Sequence, residues 1–172
     1  MTTLEIFAAL KAALVAIPLD PDTDGDEPLF EAVEFAANRQ LGKQLNSLLV
    51  YKNRACLIVP LRMMRTIRDH EGQLSVLGTK HAEVALLYTD KAYFKAGQAV
   101  TFGSDKNPGL FDTDERIEAA VCGKLLSPFG GITPGDSDPL NLTDAEQAAA
   151  AGRSAWMMIL YVPIGLISVA VA

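Results

Sequence analysis

The sequence predicts a single α+β domain, residues 1–172, built around a mostly antiparallel sheet with a long β-hairpin arm. Two helical stretches open the chain, two long strand-like runs flank a short polar turn, and a later helix precedes a final apolar strand. Apolar residues make up 49% of the chain and charged residues 21%, which is typical of a globular domain with a buried core. We therefore expect two N-terminal helices and the later helix to pack against the sheet.

The first helix is predicted from a capping box and from the spacing of its apolar residues. Thr2 and Glu5 have the T-x-x-E pattern, in which each side chain satisfies a backbone N–H of the other residue. One face carries apolar residues at helical spacing, namely Phe7, Leu10, Leu14 and Ile17. Pro18 ends this helix, since proline removes a backbone donor.

Pro28 suits the first turn of a second helix, whose predicted buried face is Phe30, Val33, Ala37 and Leu41.

Two long strands with a turn between them predict the hairpin. A short strand at residues 48–51 precedes an apolar strand at residues 55–61, which continues through residues 62–68 as an exposed basic extension. Residues 69–72, Asp-His-Glu-Gly, have turn composition. The chain then returns as the partner strand over residues 73–89. We expect the base of this hairpin to be buried and its tip to stand in solvent.

The second half of the chain alternates strands, helices and one long loop. A short strand is predicted at residues 99–102. Asp112 and Glu115 resemble a capping box for the next helix, whose inner face is Ile117, Val121 and Leu125. Residues 127–142 are rich in proline and glycine and predict a surface loop. A short alanine-rich helix is predicted at residues 143–152.

The C-terminal run of residues 156–172 contains no charged residue. Its 17 residues are fewer than the about 20 that a membrane-spanning helix needs, and Pro163 interrupts them. The composition favours a strand over residues 155–162, followed by an apolar tail. We expect the tail to be buried on this domain's own sheet or donated to a neighbouring subunit, without membrane contact. It contributes three residues to the predicted interaction surface: Leu166, Ile167 and Val169.

Positive charge is concentrated on the predicted hairpin. The whole chain has a net charge of −6, yet residues 52–81 carry six cationic residues against two carboxylates, a local net charge of +4. The exposed extension holds Arg62, Arg65 and Arg68, whose spacing by three places them on both faces of a strand. This arm is predicted to contact DNA phosphates without sequence specificity, or an acidic neighbouring subunit. A solvated hairpin without a partner is the alternative.

Residues 20–31 match the calcium loop of EF-hands, D-x-D-x-D-G-x5-E. The candidate oxygen ligands are Asp20, Asp22, Asp24, Asp26 and Glu31. Two prolines stiffen the loop, its eighth position holds Glu27 where an apolar residue is typical, and no second loop of this kind occurs. We therefore predict a solvent-exposed acidic loop without a metal ion. A calcium- or ligand-binding module is the alternative function.

The sequence contains no catalytic motif that we can identify. It has no G-x-S-x-G, H-E-x-x-H, P-loop or G-x-G-x-x-G pattern. The two histidines, His70 and His81, lie outside any motif. The two cysteines, Cys56 and Cys122, are too far apart in sequence for a zinc or redox motif. We predict that the protein is not an enzyme and carries no cofactor.

Several stretches, taken in order, resemble one family. They are the amphipathic N-terminal helix, Pro28-Leu29-Phe30-x-x-Val33, the strand at residues 54–60 with its hairpin, Asn107-Pro108-Gly109-Leu110 before a helix, and Gly152-Arg153-Ser154-Ala155-Trp156 before the last strand. In this order they resemble small phage and prophage tail proteins of the tail-terminator and tail-completion type. The resemblance implies a structural protein without catalytic residues, assembled as a homo-oligomeric ring at a tail end. Its implied partners are copies of itself and other tail or connector proteins, in the bacterial cytoplasm or in a virion.

Overall fold

The computed structural model describes residues 1–20, 27–37, 40–48, 50, 52–68, 75–90, 108–124, 126–139 and 155–170. These residues form three helices and five strands, so the α+β class predicted from the sequence is confirmed. In chain order the elements are α1 (Thr3–Val15), β1 (Ala32–Phe35), α2 (Leu41–Leu48), β2 (Arg54–Arg68), β3 (Ser75–Asp90), α3 (Leu110–Val121), β4 (Thr133–Pro139) and β5 (Trp156–Ala170).

The five strands form one sheet in the order β1-β2-β3-β5-β4. β1 is parallel to β2, and every other neighbouring pair is antiparallel. α2 lies between β1 and β2 in the chain, because parallel neighbours need a crossover connection. The mostly antiparallel sheet predicted from the sequence is therefore confirmed, and its parallel pair lies at one edge.

β2 and β3 form the long predicted hairpin. Their pairing extends over the whole of β2, from Arg54 to Arg68. β5 pairs with β3 over nearly the same length, up to Ala170. The final strand thus continues past its predicted end at residue 162, because β3 supplies backbone partners up to Ala170, with one register shift between Lys80 and His81. The apolar tail lies on this domain's own sheet, which is the first of its two predicted placements.

Helices cover both faces of the sheet, but only near one end of its long strands. α1 and α3 pack on one face, over a core that includes Leu10, Leu14, Ile58, Leu86, Ile117, Val121 and Leu160. α2 packs on the other face through Leu45, against Ala55, Leu57, Ala85 and Leu87. Each fully buried aliphatic side chain contributes about 1.5–3 kcal/mol to the driving force for folding. The predicted inner faces of α1 and α3 are confirmed for the residues that the structure describes.

The second predicted helix is wrong in its position. Residues 32–35 form strand β1, and the helix begins only at Leu41. Phe30 and Val33 are buried as predicted, but they are buried on the sheet rather than on a helix face. Hydrogen bonds from the N–H groups of Glu31 and Ala36 to β2 hold this segment extended. The predicted strand at residues 48–51 is also wrong at its start, since Leu48 ends α2.

Two elements in the second half also differ from the prediction. The predicted loop at residues 127–142 contains strand β4, which pairs with the outer side of β5. Its prolines are tolerated because β4 is an edge strand. α3 begins at Leu110, before the predicted cap at Asp112, whose carboxylate accepts hydrogen bonds from the Arg116 side chain instead. The strand predicted at residues 99–102 and the helix predicted at 143–152 lie outside the described residues.

Candidate interaction surface

Two regions of the sheet differ in how much of the molecule surrounds them. We call residues 54–60, 82–90 and 156–162 the base, and residues 61–68, 75–81 and 163–170 the arm. β1 pairs with the base part of β2, and β4 pairs with the base part of β5. Within the described residues the arm is therefore a three-stranded ribbon with no strand neighbour on either side.

The arm exposes large apolar side chains. Leu61 is 48% exposed, Met63 58% and Leu166 65%. Leu61 lies at the register shift between Pro60 and Arg62, where β2 has one more residue than β3, as in a β-bulge. Single exposed apolar residues are common, but several together on one projecting ribbon indicate an interaction surface.

Cationic side chains lie among these apolar residues. Arg62 donates a hydrogen bond of 2.6 Å to Glu83, and this bond raises the pKa of the guanidinium further above its usual value. Arg65 lies directly opposite Lys80 in the β2–β3 register, so two positive charges share one face. Neither Arg65 nor Lys80 has a salt bridge to the residues that the structure describes. Like charges placed opposite each other are destabilising on their own, and an anionic partner would relieve them.

The predicted interaction residues have different outcomes. Arg62 and Arg65 are exposed and, three positions apart in one strand, they lie on opposite faces of the arm as predicted. Leu166 was predicted to be buried, and that prediction is wrong because no helix of the described chain covers this part of β5. Ile167 is partly buried. The side chains of Arg68 and Val169 lie outside the described part of the structure.

Two residues of this surface, Leu61 and Met63, were not among the predicted interaction residues. Leu61 was predicted within the apolar strand at residues 55–61, at the buried base of the hairpin, and that prediction is wrong because its side chain is 48% exposed. Met63 lies in the predicted basic extension at residues 62–68, where only the cations were assigned a role. The signal was present as the run Leu-Arg-Met-Met-Arg over residues 61–65. A strand in which large apolar residues alternate with cations presents both kinds of side chain on each face. A hairpin that only contacts water has no need of such exposed apolar residues, so their presence indicates a partner.

In the acidic segment at residues 20–31, two carboxylates, Glu27 and Glu31, contact the side chain of Arg54. The buried side chain of Arg54 donates to Glu27 at 2.7 Å and to the Leu29 carbonyl at 2.8 Å. Glu31, the last position of the calcium-loop pattern, accepts from the Asn53 N–H at 3.1 Å and lies 3.9 Å from Arg54. Of the other candidate ligands, Asp22, Asp24 and Asp26 lie outside the described residues, whereas Asp20 lies within them. The described residues contain no group of three or more His, Cys, Asp or Glu side chains suited to a metal ion.

Three reactive side chains of the described structure, Cys56, Cys122 and Asp114, lie in surroundings that alter their chemistry. Burial raises the pKa of the Cys56 thiol far above its usual value, and burial with the nearby Glu118 raises that of Cys122 to about 11. Asp114 accepts a hydrogen bond of 2.7 Å from the Tyr88 hydroxyl. Both thiols are therefore protonated at neutral pH and are poor nucleophiles.

None of the helices in the described part of the chain is long and apolar enough to cross a membrane. Comparison with models of known protein families finds no match to this sequence. A search of curated proteins likewise finds no relative.

Proposed function

We propose that this protein is a structural subunit that assembles with copies of itself, of the phage or prophage tail-terminator or tail-completion type, and that it has no catalytic activity. One observation carries the proposal: the arm places Leu61, Met63 and Leu166 in solvent beside Arg62 and Arg65. A surface of this composition suits a protein partner, because apolar contact supplies affinity and charge selects the orientation.

Charge supports a second copy as that partner. The segment at residues 52–81 has a local net charge of +4 in a chain whose total is −6, so the rest of the chain is strongly acidic. The arm of one molecule is thus attracted to the body of the next. Contacts between unlike surfaces are heterologous, and they close into a ring when the rotation between subunits divides a full turn.

The proposal includes the further partners and places that the family resemblance implies. A ring at a tail end would contact other tail or connector proteins, and the arm's cations would contact DNA phosphates without reading sequence. Such a protein is found in the bacterial cytoplasm before assembly and in the virion afterwards. The acidic loop and the cysteines have no role in this function, and no cofactor is needed.

Sedimentation velocity over a range of protein concentrations tests the proposal. We expect the unaltered chain to form a discrete oligomer whose mass is unaffected by EDTA. The double variant Met63→Glu/Arg65→Glu should sediment as a monomer with an unchanged melting temperature, because both side chains are exposed. Lys43→Glu, a charge reversal at an exposed site on α2, is the matched control and should keep the oligomer. An unaltered chain that stays monomeric at every concentration would contradict the proposal.

A further inference from the structure

The two edge strands of the sheet differ in how they are protected. β4 carries Pro134, Pro139, Asp136 and Asp138, and its pairing with β5 is irregular between Pro134 and Ser137. Prolines, charges and bulges are the features by which natural edge strands avoid pairing with other chains. β1 has the sequence Ala-Val-Glu-Phe without proline, and no described strand pairs with its outer side. β1 is therefore the edge that is open to an added strand.

A side chain of α2 already imitates such a strand. The Gln44 carboxamide accepts a hydrogen bond of 3.0 Å from the Ala37 N–H and donates one of 3.1 Å to the Phe35 carbonyl. One amide thus makes the pair of bonds that a peptide unit of a neighbouring strand would make. The Phe35 carbonyl and the Ala37 N–H thus point to the outer side of this edge, whereas the Ala36 N–H bonds to the Ile58 carbonyl on the inner side.

A groove runs along this open edge. Its volume is about 430 Å³, and α1 and α2 form its walls through Lys11, Val15, Ser47 and Leu48. Its apolar lining comprises Val15, Ala32, Val33 and Leu48, and Val15 is one of the large apolar side chains that are exposed in the described structure. The strand β1 therefore lines the groove together with apolar side chains and with the charged side chains of Lys11, Glu31, Glu34 and Lys52.

We propose that this groove binds the β2 side of the arm, residues 61–68, of a second copy by strand addition. The inference rests on the proposed self-assembly and names its two contact surfaces. The arm suits the groove because the β2 side of the arm has no strand neighbour among the described residues. Its exposed Leu61 and Met63 suit the apolar part of the groove lining, which includes Val15 and Leu48. Charge favours the same pairing at the level of the chain, because residues 1–35, which include α1 and β1, carry eight carboxylates and one lysine, whereas the arm carries Arg62 and Arg65.

Cross-linking between separately labelled chains tests the pairing of surfaces. Met63→Cys on one chain and Val15→Cys on another are mixed and treated with a short bis-maleimide. We expect a cross-linked dimer only when both variants are present, because the arm of one copy contacts the groove of another copy and does not contact a second arm. The native thiols are poor competitors, since Cys56 is buried and the pKa of Cys122 is raised to about 11. Cross-linking of either variant with itself, or none in the mixture, would overturn the inference.

A blocking variant gives an independent readout. Val15→Lys adds a positive charge inside the groove, whereas Ala12→Lys adds the same charge to an exposed position of the same helix outside it. We expect Val15→Lys to weaken assembly about tenfold or more, because its ammonium group would be buried against the cationic arm, and Ala12→Lys to leave assembly unchanged, with both melting temperatures preserved. An oligomer that forms normally in Val15→Lys defeats the inference while the proposed function stands. A monomeric unaltered chain defeats both.

Discussion

The base and the arm are built from the same three strands, yet they differ in burial. In the base, Ile58, Leu86 and Leu160 are fully buried between the sheet and the helices. In the arm, Met63 and Leu166 have more than half of their surface in solvent. The backbone pairing is continuous through both regions, apart from one irregularity in each pair of strands near their junction.

This difference separates two contributions to a sheet. Hydrogen-bonded pairing extends wherever neighbouring strands supply partners, and each bond adds only about 0.5–1.5 kcal/mol net. Apolar burial requires a covering layer, and α1, α2 and α3 are long enough to cover only the base. The arm therefore depends on the base for its stability, and its own apolar residues remain available to a partner.

The largest expected effect comes from removing a side chain of the base. Leu86→Ala should lower the free energy of unfolding by about 2–5 kcal/mol, since it leaves a cavity among fully buried residues. Met63→Ala in the arm should lower it by about 0.5 kcal/mol or less. Urea unfolding at concentrations where sedimentation gives a monomer measures both. Equal losses would mean that the arm is as well covered as the base.

A pair of glycines sharpens the comparison. A Cβ at Gly135, beside the base, would lie 3.0 Å from Cε2 of Tyr161 and 3.1 Å from Cβ of Ile159. Gly135→Ala should therefore destabilise the protein by about 1–3 kcal/mol through overpacking. At Gly165 in the arm the nearest atom is Cδ of Lys80 at 3.7 Å, an ordinary contact. Gly165→Ala should be neutral or stabilising by up to about 1 kcal/mol, and thermal melts of the two variants would disprove the contrast if they shift alike.

A smaller effect is expected at the open edge of the base. Gln44→Ala removes the two hydrogen bonds to Phe35 and Ala37 and should lower the free energy of unfolding by about 1 kcal/mol, because both groups remain accessible to water. Lys43→Ala, at an exposed position of the same helix, should change it very little. Urea unfolding of the two variants side by side measures the difference. A loss in Lys43→Ala as large as that in Gln44→Ala would show that the effect belongs to the helix and not to the edge.

The smallest expected effect concerns the start of α1, which covers the base. Hydrogen bonds from the Thr2 backbone N–H and side chain hold the pKa of Glu5 below its usual value of 4.5. The folded state thus favours the ionised carboxylate, so its contribution is complete above pH 4.5 and is lost as pH falls through the lowered pKa. Glu5→Gln lacks this contribution, so its melting temperature should lie slightly below that of the unaltered chain above pH 4.5 and should not show the additional acid-side loss. Melting curves of the two proteins between pH 3 and pH 7, about the range set by these pKa values, should therefore differ near neutral pH and converge at the acid end.

The interaction surface was only partly predictable from the sequence. Exposure of Arg62 and Arg65 follows from charge, because a cation without a buried partner stays in water. Leu166 is exposed although an apolar residue is expected to be buried, and the exposure of Leu61 and Met63 was missed for the same reason. Whether an apolar residue is buried depends on how far helices that are distant in sequence extend over the sheet. A local sequence pattern carries no information on that extent.

Local interactions let the sequence determine α1 and the hairpin. The Thr2–Glu5 capping box is present as predicted, with bonds of 2.6 and 3.3 Å between residues three apart. The two strands of the hairpin are neighbours in sequence, so their alternation and the turn between them suffice to pair them.

Only the tertiary structure decided on β1, β4 and the full length of β5. Residues 32–35 have apolar spacing that suits a helix or a strand, and the backbone of β2 selected the strand. The proline-rich residues 133–139 became a strand because β5 had an unpaired side. In each case the deciding partner was a backbone edge supplied by a segment distant in sequence, and backbone hydrogen bonds are made by every residue type except the proline nitrogen.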